Sequence, residues 1–146
     1  MPTARRSRTI AAPMQQIWEL IGDPHHLPRW WPRVTRVEDV EDGAFTEVMR
    51  TAKGKFVRAD FELVESDEGA GSLRWEQRLE GTPYARLLRS AQTSVRLAPA
   101  GEGTSVTIEL RQNLGGFFPR FGSALVRRAA VATIEEALDG LERISG

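Results

Sequence analysis

The residues best suited to chemistry sit close together. The stretch His25-His26-Leu27-Pro28-Arg29-Trp30-Trp31-Pro32-Arg33-Val34 holds both histidines and two of the four tryptophans of a 146-residue chain. An imidazole can bind a metal or move a proton near neutral pH. Neighbouring side chains on a helix point about 100° apart, however, and histidines that share one metal usually stand at i, i+4. His25 and His26 lack that spacing, no cysteine exists to complete a site, and no HExxH or DxD pattern lies nearby. The expectation is no metal, no cofactor, and two histidines exposed on a short helix, with a general-base role open only to one that faces a pocket. Trp30 and Trp31 carry large apolar surfaces between Pro28 and Pro32, which stiffen the backbone on both sides. One tryptophan is expected to pack in the core beneath the short helices, without the sequence saying which.

Other catalytic patterns are missing. The chain has no GxSxG, no Ser-His-Asp order, no glycine-rich phosphate loop and no carboxylate pair that spacing alone brings together. The single tyrosine, Tyr84, stands beside Arg86 at the ill-defined start of a strand.

These residues must be held by the surrounding elements. Residues 3 to 10 suit an edge strand, rich in Thr and Arg. Met14, Ile17, Trp18 and Ile21 recur at helical spacing after Pro13, and Gly22 ends that helix. Asp23-Pro24 opens a second short helix, which Pro28 is expected to close. Strands then follow over Val34 to Val40, Phe45 to Thr51, Lys55 to Glu65, Leu73 to Leu79, within residues 84 to 98 and over Thr104 to Asn113. Gly and Pro punctuate the turns between them, which argues a meandering antiparallel sheet. Alternation puts Phe45, Glu47 and Met49 on one face, Ala59, Phe61 and Leu63 on one face, and Trp75 with Gln77 on another. In the last strand Val106, Ile108 and Leu110 are expected inward, leaving Glu109 and Arg111 in solvent. Residues 120 to 144 contain no proline and carry a stripe of Val131, Ile134, Leu138 and Leu141, with Gly140 as a mild flaw. Arg127 and Arg128 are expected at the surface.

Composition narrows the function classes. Twenty basic residues against twenty acidic ones cancel, which gives no sign of nucleic acid or an anionic membrane as partner. The basic residues are nearly all arginine, a skew that codon bias explains as well as chemistry does. Zero cysteines exclude a disulfide framework and a thiolate nucleophile. No run approaches the roughly 20 apolar residues of a membrane span. The expected protein is cytoplasmic and one domain over 1–146, with no membrane insertion and no stated oligomeric state.

The front, "IAAPMQQIWELIGDPHHLPRWWPRV", and the back, "GGFFPRFGSALVRRAAVATIEEALDGLER", together resemble the polyketide cyclase/dehydrase-like branch of the START-related (SRPBCC) superfamily. The resemblance covers almost the whole chain. Ala12-Pro13 before Ile17-Trp18, and Asp23-Pro24 followed by Trp30-Trp31-Pro32, carry most of it. It implies an α+β helix-grip fold: a curved antiparallel sheet of about seven strands wrapped around a long C-terminal helix, with two short helices after the first strand. It also implies an apolar cavity between sheet and helix, entered near the loop before that helix. It does not fix one chemistry, because related folds serve carriers, receptors and cyclases.

The expected ligand-binding set is Trp30, Trp31, Met49, Phe61, Trp75, Gln77, Phe117, Phe118 and Val131. Gln77 places an amide on an apolar face, where it meets a neighbour, a water or a ligand if buried. Gly115-Gly116-Phe117-Phe118 suits a gate, since glycine permits motion and exposed phenylalanine is costly. The expected partner is a small hydrophobic or aromatic molecule, lipid-like or polyketide-like. The alternative is a cyclase or dehydratase acting on such a molecule, with Trp75, Gln77, Tyr84 or a histidine assisting. A grip on another protein is a third reading, against which no exposed apolar stripe stands out.

Overall fold

A computed structural model describes residues 3–115 and 122–145. The elements run β1 (Thr3–Ile10), α1 (Met14–Ile21), a 3-10 turn (Pro24–His26), α2 (Leu27–Trp30), β2 (Val34–Glu41), β3 (Ala44–Arg50), β4 (Phe56–Asp67), β5 (Ser72–Gln77), a second 3-10 turn (Pro83–Arg86), β6 (Leu88–Ala100), β7 (Gly103–Leu114) and α3 (Gly122–Ser145). The strands form one antiparallel sheet in the order β1-β7-β6-β5-β4-β3-β2. Each strand from β2 to β6 pairs antiparallel with the next in the chain. β1 closes the other side against β7, with Ala4 opposite Leu110 and Ile10 opposite Thr104. This is the helix-grip architecture the sequence implied.

One local expectation is corrected. Pro28 does not close the second short helix: it stands in the first turn of α2, which continues to Trp30. A proline there loses only an N–H that has no intrahelical acceptor, so it fits as well as Pro24 does one turn earlier. Asp23 caps that earlier turn, its carboxylate accepting from the His25 backbone N–H at 3.0 Å. β5 ends at Gln77, two residues short of the expected Leu79.

α3 lies across the concave face. Its Ile134, Ala137, Leu138 and Leu141 are fully buried, packed in one core with Ile10, Ile17, Val95, Val106 and Ile108. α2 approaches this helix at Gly140, where a Cβ would stand 2.9 Å from the Trp30 Cα. The glycine that looks like a flaw in the helix is therefore the point where another backbone needs the space. Along the edge strand, Arg8 reaches Asp139 at 2.5 Å, Glu135 at 2.9 Å and Glu142 at 3.4 Å. The cluster ties β1 to α3 and places a charge on the sheet edge, where charge discourages pairing with another chain.

Candidate functional site

Toward its N-terminal end α3 stops filling the space beneath it. A cavity of about 380 Å³ opens there between the helix and the sheet, within the range of roughly 300–1,000 Å³ typical of small-molecule sites. From α3 it is lined by Val126, Ala129, Ala130 and Thr133, which are small or short. From the sheet come Glu47 and Met49 on β3, Phe61 on β4, Trp75 and Gln77 on β5, and Leu110 and Gln112 on β7. Pairing explains why these residues converge. Phe61 stands opposite Phe45 and Gln77, and Trp75 opposite Leu63 and Thr93, so residues two apart on each strand fall on one face.

Trp31 closes one side. It meets Trp75 edge to face with ring centroids 5.8 Å apart, and Trp30 likewise at 5.4 Å. Phe45 and Phe61 stack at 5.5 Å, and Phe45 also meets Trp75 at 6.4 Å. Such contacts are worth about 0.5–1.5 kcal/mol each beyond area burial. They make the aromatic wall rigid. The turn after α2 fixes the direction of Trp31: its backbone N–H still donates to the Leu27 carbonyl at 2.8 Å, and two residues later Arg33 takes φ 67°. That left-handed residue turns the chain into β2, where the Arg33 carbonyl accepts from the Arg50 N–H at 3.0 Å.

Five of the expected site residues thus share the cavity wall: Trp31, Met49, Phe61, Trp75 and Gln77. Trp30 does not. It is 2% exposed beneath α2, because it lies on the helix face pressed against Gly140, and its indole N–H finds no acceptor among the described residues. Val131 packs half-buried against the core and is not among the cavity-lining residues, since Ala130 and Thr133 occupy that face of α3. Phe117 and Phe118, with most of the expected gate, lie outside the described residues. Of that segment only Gly115 is described, and its N–H donates to the Leu87 carbonyl at 2.7 Å beside the cavity-lining Leu87 and Leu88.

The histidines are peripheral. His25 is exposed, its ring bonded to Asp23 at 2.8 Å, and neither His25 nor His26 lines the cavity. Among the described residues no group of three or more His, Asp or Glu converges as metal ligands do. Tyr84 lines a separate groove with Met49 and Arg50; burial raises its phenol above the ordinary value.

The residue that sequence reasoning passed over is Glu47. It lines the cavity and is 2% exposed. Burial alone pushes its carboxyl up to about 8, since a charge removed from water without a partner is disfavoured. The available signal was an acid between Phe45 and Met49 on a strand face that is otherwise apolar.

Across residues 1–146 the chain matches the family described as "Polyketide cyclase / dehydrase and lipid transport". It belongs to this family. No curated protein matches it by sequence. Among solved structures, TTHA0849 from Thermus thermophilus is 28% identical with a TM-score of 0.74, over 97% of this chain and 95% of that one. A START superfamily protein from Mycobacterium smegmatis superposes at 0.77 with 12% identity, over 98% and 96%. The di-domain ARO/CYC BexL from the BE-7585A biosynthetic pathway superposes at 0.80 with 21% identity, and the match spans 98% of this chain but 46% of BexL. The last two likenesses show that the family's fold is shared. No described helix of this family member is long and apolar enough to cross a membrane.

Proposed function

We propose that the protein binds a small hydrophobic or aromatic ligand, lipid-like or polyketide-like, in the cavity between the sheet and α3. The observation that carries this reading is the cavity itself: about 380 Å³ of space lined mainly by apolar and aromatic side chains, with a few polar groups at fixed positions. Trp31, Met49, Phe61, Trp75 and Gln77 are the contacts assigned to the ligand. Leaving such a space empty forfeits dispersion contacts, and an apolar guest recovers them.

A second reading is favoured by Glu47. A carboxyl held near neutrality can give or take a proton, which suits a cyclase or dehydratase acting on a polyketide-like substrate in the same cavity.

The test is a titration of tryptophan fluorescence with decanol, joined to native mass spectrometry of the protein after incubation with candidate polyketide-like ligands. Saturable quenching is expected in the unmodified protein. In Ala130→Leu, which adds three carbons to the cavity wall, affinity falls roughly tenfold or more while stability falls by no more than about 1–3 kcal/mol. Recovery of the guest unchanged supports binding, and recovery of a product lighter by one water supports the second reading. No quenching with decanol or with any polycyclic aromatic overturns both.

A further inference from the structure

The cavity contains one ionisable group among its described lining residues, and it is an acid. Glu47 stands opposite Val37 on β2 and Ala59 on β4, neither of which can neutralise it. α3 presents Ala130 and Thr133 to the same space, β5 presents Trp75 and Gln77, and Trp31 follows α2. None of these titrates, and among the described residues no charge or hydrogen-bond donor on any of these elements acts on the carboxyl. A buried acid without a partner is costly. The cost is recovered when a ligand supplies the partner.

The rings around it select the sign of that partner. Trp31, Phe61 and Trp75 line the cavity, and aromatic faces attract cations. A ligand carboxylate would meet those faces and a second acid, with no Lys or Arg among the described lining residues. A ligand ammonium would be attracted by both. We propose that the cavity is selective for a hydrophobic amine, whose apolar body lies against Met49, Leu110 and Val126 and whose ammonium pairs with Glu47. The proposal rests on the ligand-binding reading above and names its ligand class.

Binding is then linked to a proton. At neutral pH the empty cavity holds Glu47 protonated, since its carboxyl is pushed up to about 8. The entering ammonium pairs with the carboxylate, and the acid's proton passes to solvent. Affinity for the amine therefore rises with pH until Glu47 is ionised without it, and holds until the amine itself loses its proton near the usual amine pKa of about 10.

The experiment compares decylamine, decanol and decanoate on the full chain by tryptophan fluorescence at about pH 6.5 and about pH 8.5. Calorimetry in two buffers of different ionisation enthalpy counts protons. At the higher pH decylamine is expected to bind roughly tenfold or more tighter than decanol, with decanoate weakest. From the lower to the higher pH its Kd improves roughly twentyfold, and at the lower pH nearly one proton is released per amine bound. In Glu47→Gln the preference for the amine over decanol and the pH dependence disappear. Decanol or decanoate matching decylamine, or amine binding without proton release, overturns the proposal and leaves the cavity reading standing. If none of the three binds, both fall. The pH and proton measurements on the unmodified protein decide the matter even if the variant does not fold.

Discussion

On α3, Ile134, Leu138 and Leu141 are fully buried, whereas Val126, Ala129 and Thr133, from about two turns before Ile134 up to the position next to it, line a space of about 380 Å³. Both halves of α3 are one continuous helix over one continuous sheet. The difference is side-chain size. Large aliphatic residues pack with Val95, Val106 and Ile108 in the sealed half, and small or short ones leave the space over β3, β4 and β5 unfilled in the hollow half. A grip fold therefore makes its core and its pocket from the same two elements. What changes between them is the volume placed on each turn of the helix.

The sharpest way to break this contrast is to cut a side chain from each half. Leu138→Ala is expected to cost about 2–5 kcal/mol, because it removes a fully buried side chain from a packed site. Val126→Ala, which only widens an existing cavity, should cost less than about 1 kcal/mol. Urea denaturation of the two variants measures the gap, and equal losses would mean that the two halves are packed alike.

Next comes the acid in the hollow half. Below its ordinary value of 4.5 Glu47 is protonated in folded and unfolded chains alike. As pH rises from there to about 8, the unfolded chain ionises and the folded one resists. Folding loses up to about 1.4 kcal/mol per pH unit over that window and levels off above it. Glu47→Gln removes this slope. The ligand-free variant should exceed the unmodified protein by about 4 kcal/mol at the upper end of the window and match it at the lower end. Denaturation at a series of pH values gives the difference, and parallel curves would place the carboxyl in contact with water.

A smaller loss than that of Leu138→Ala is expected where α2 meets the sealed half. Gly140→Ala gains helix propensity of about 1 kcal/mol, but its Cβ would stand 2.9 Å from the Trp30 Cα. Backbone does not yield as a side chain does, so a net loss of about 1–2 kcal/mol is expected by thermal unfolding. A net gain would show that α2 can lift away from α3 at little cost.

Much of the fold was legible because period and punctuation are local properties. The alternation of Val106, Ile108 and Leu110, all turned toward the core, reads off β7 without any partner. Glu109 and Arg111 follow on the other face, bonded to each other at 3.1 Å. The same period puts Trp75 and Gln77 on one face, and both line the cavity. Pro28 misled because a proline near the start of a helix and one after its end look the same in one dimension. Alternation puts Glu47 beside Phe45 and Met49 on its strand, but it does not tell whether that face lies in core, cavity or solvent.

The order of the elements, the inward set on the strands and the long closing helix are legible in the chain itself. All of these follow from spacing and turn residues within a few positions. Only the tertiary structure decided which tryptophan faces the cavity, why Gly140 interrupts the helix, and that Glu47 is buried there. Each depends on a partner distant in the chain: six of the seven strands, β2 to β7, separate α2 from α3 in sequence, and the two helices meet at Gly140, where Trp30 is buried in the core while Trp31 stands at the cavity wall.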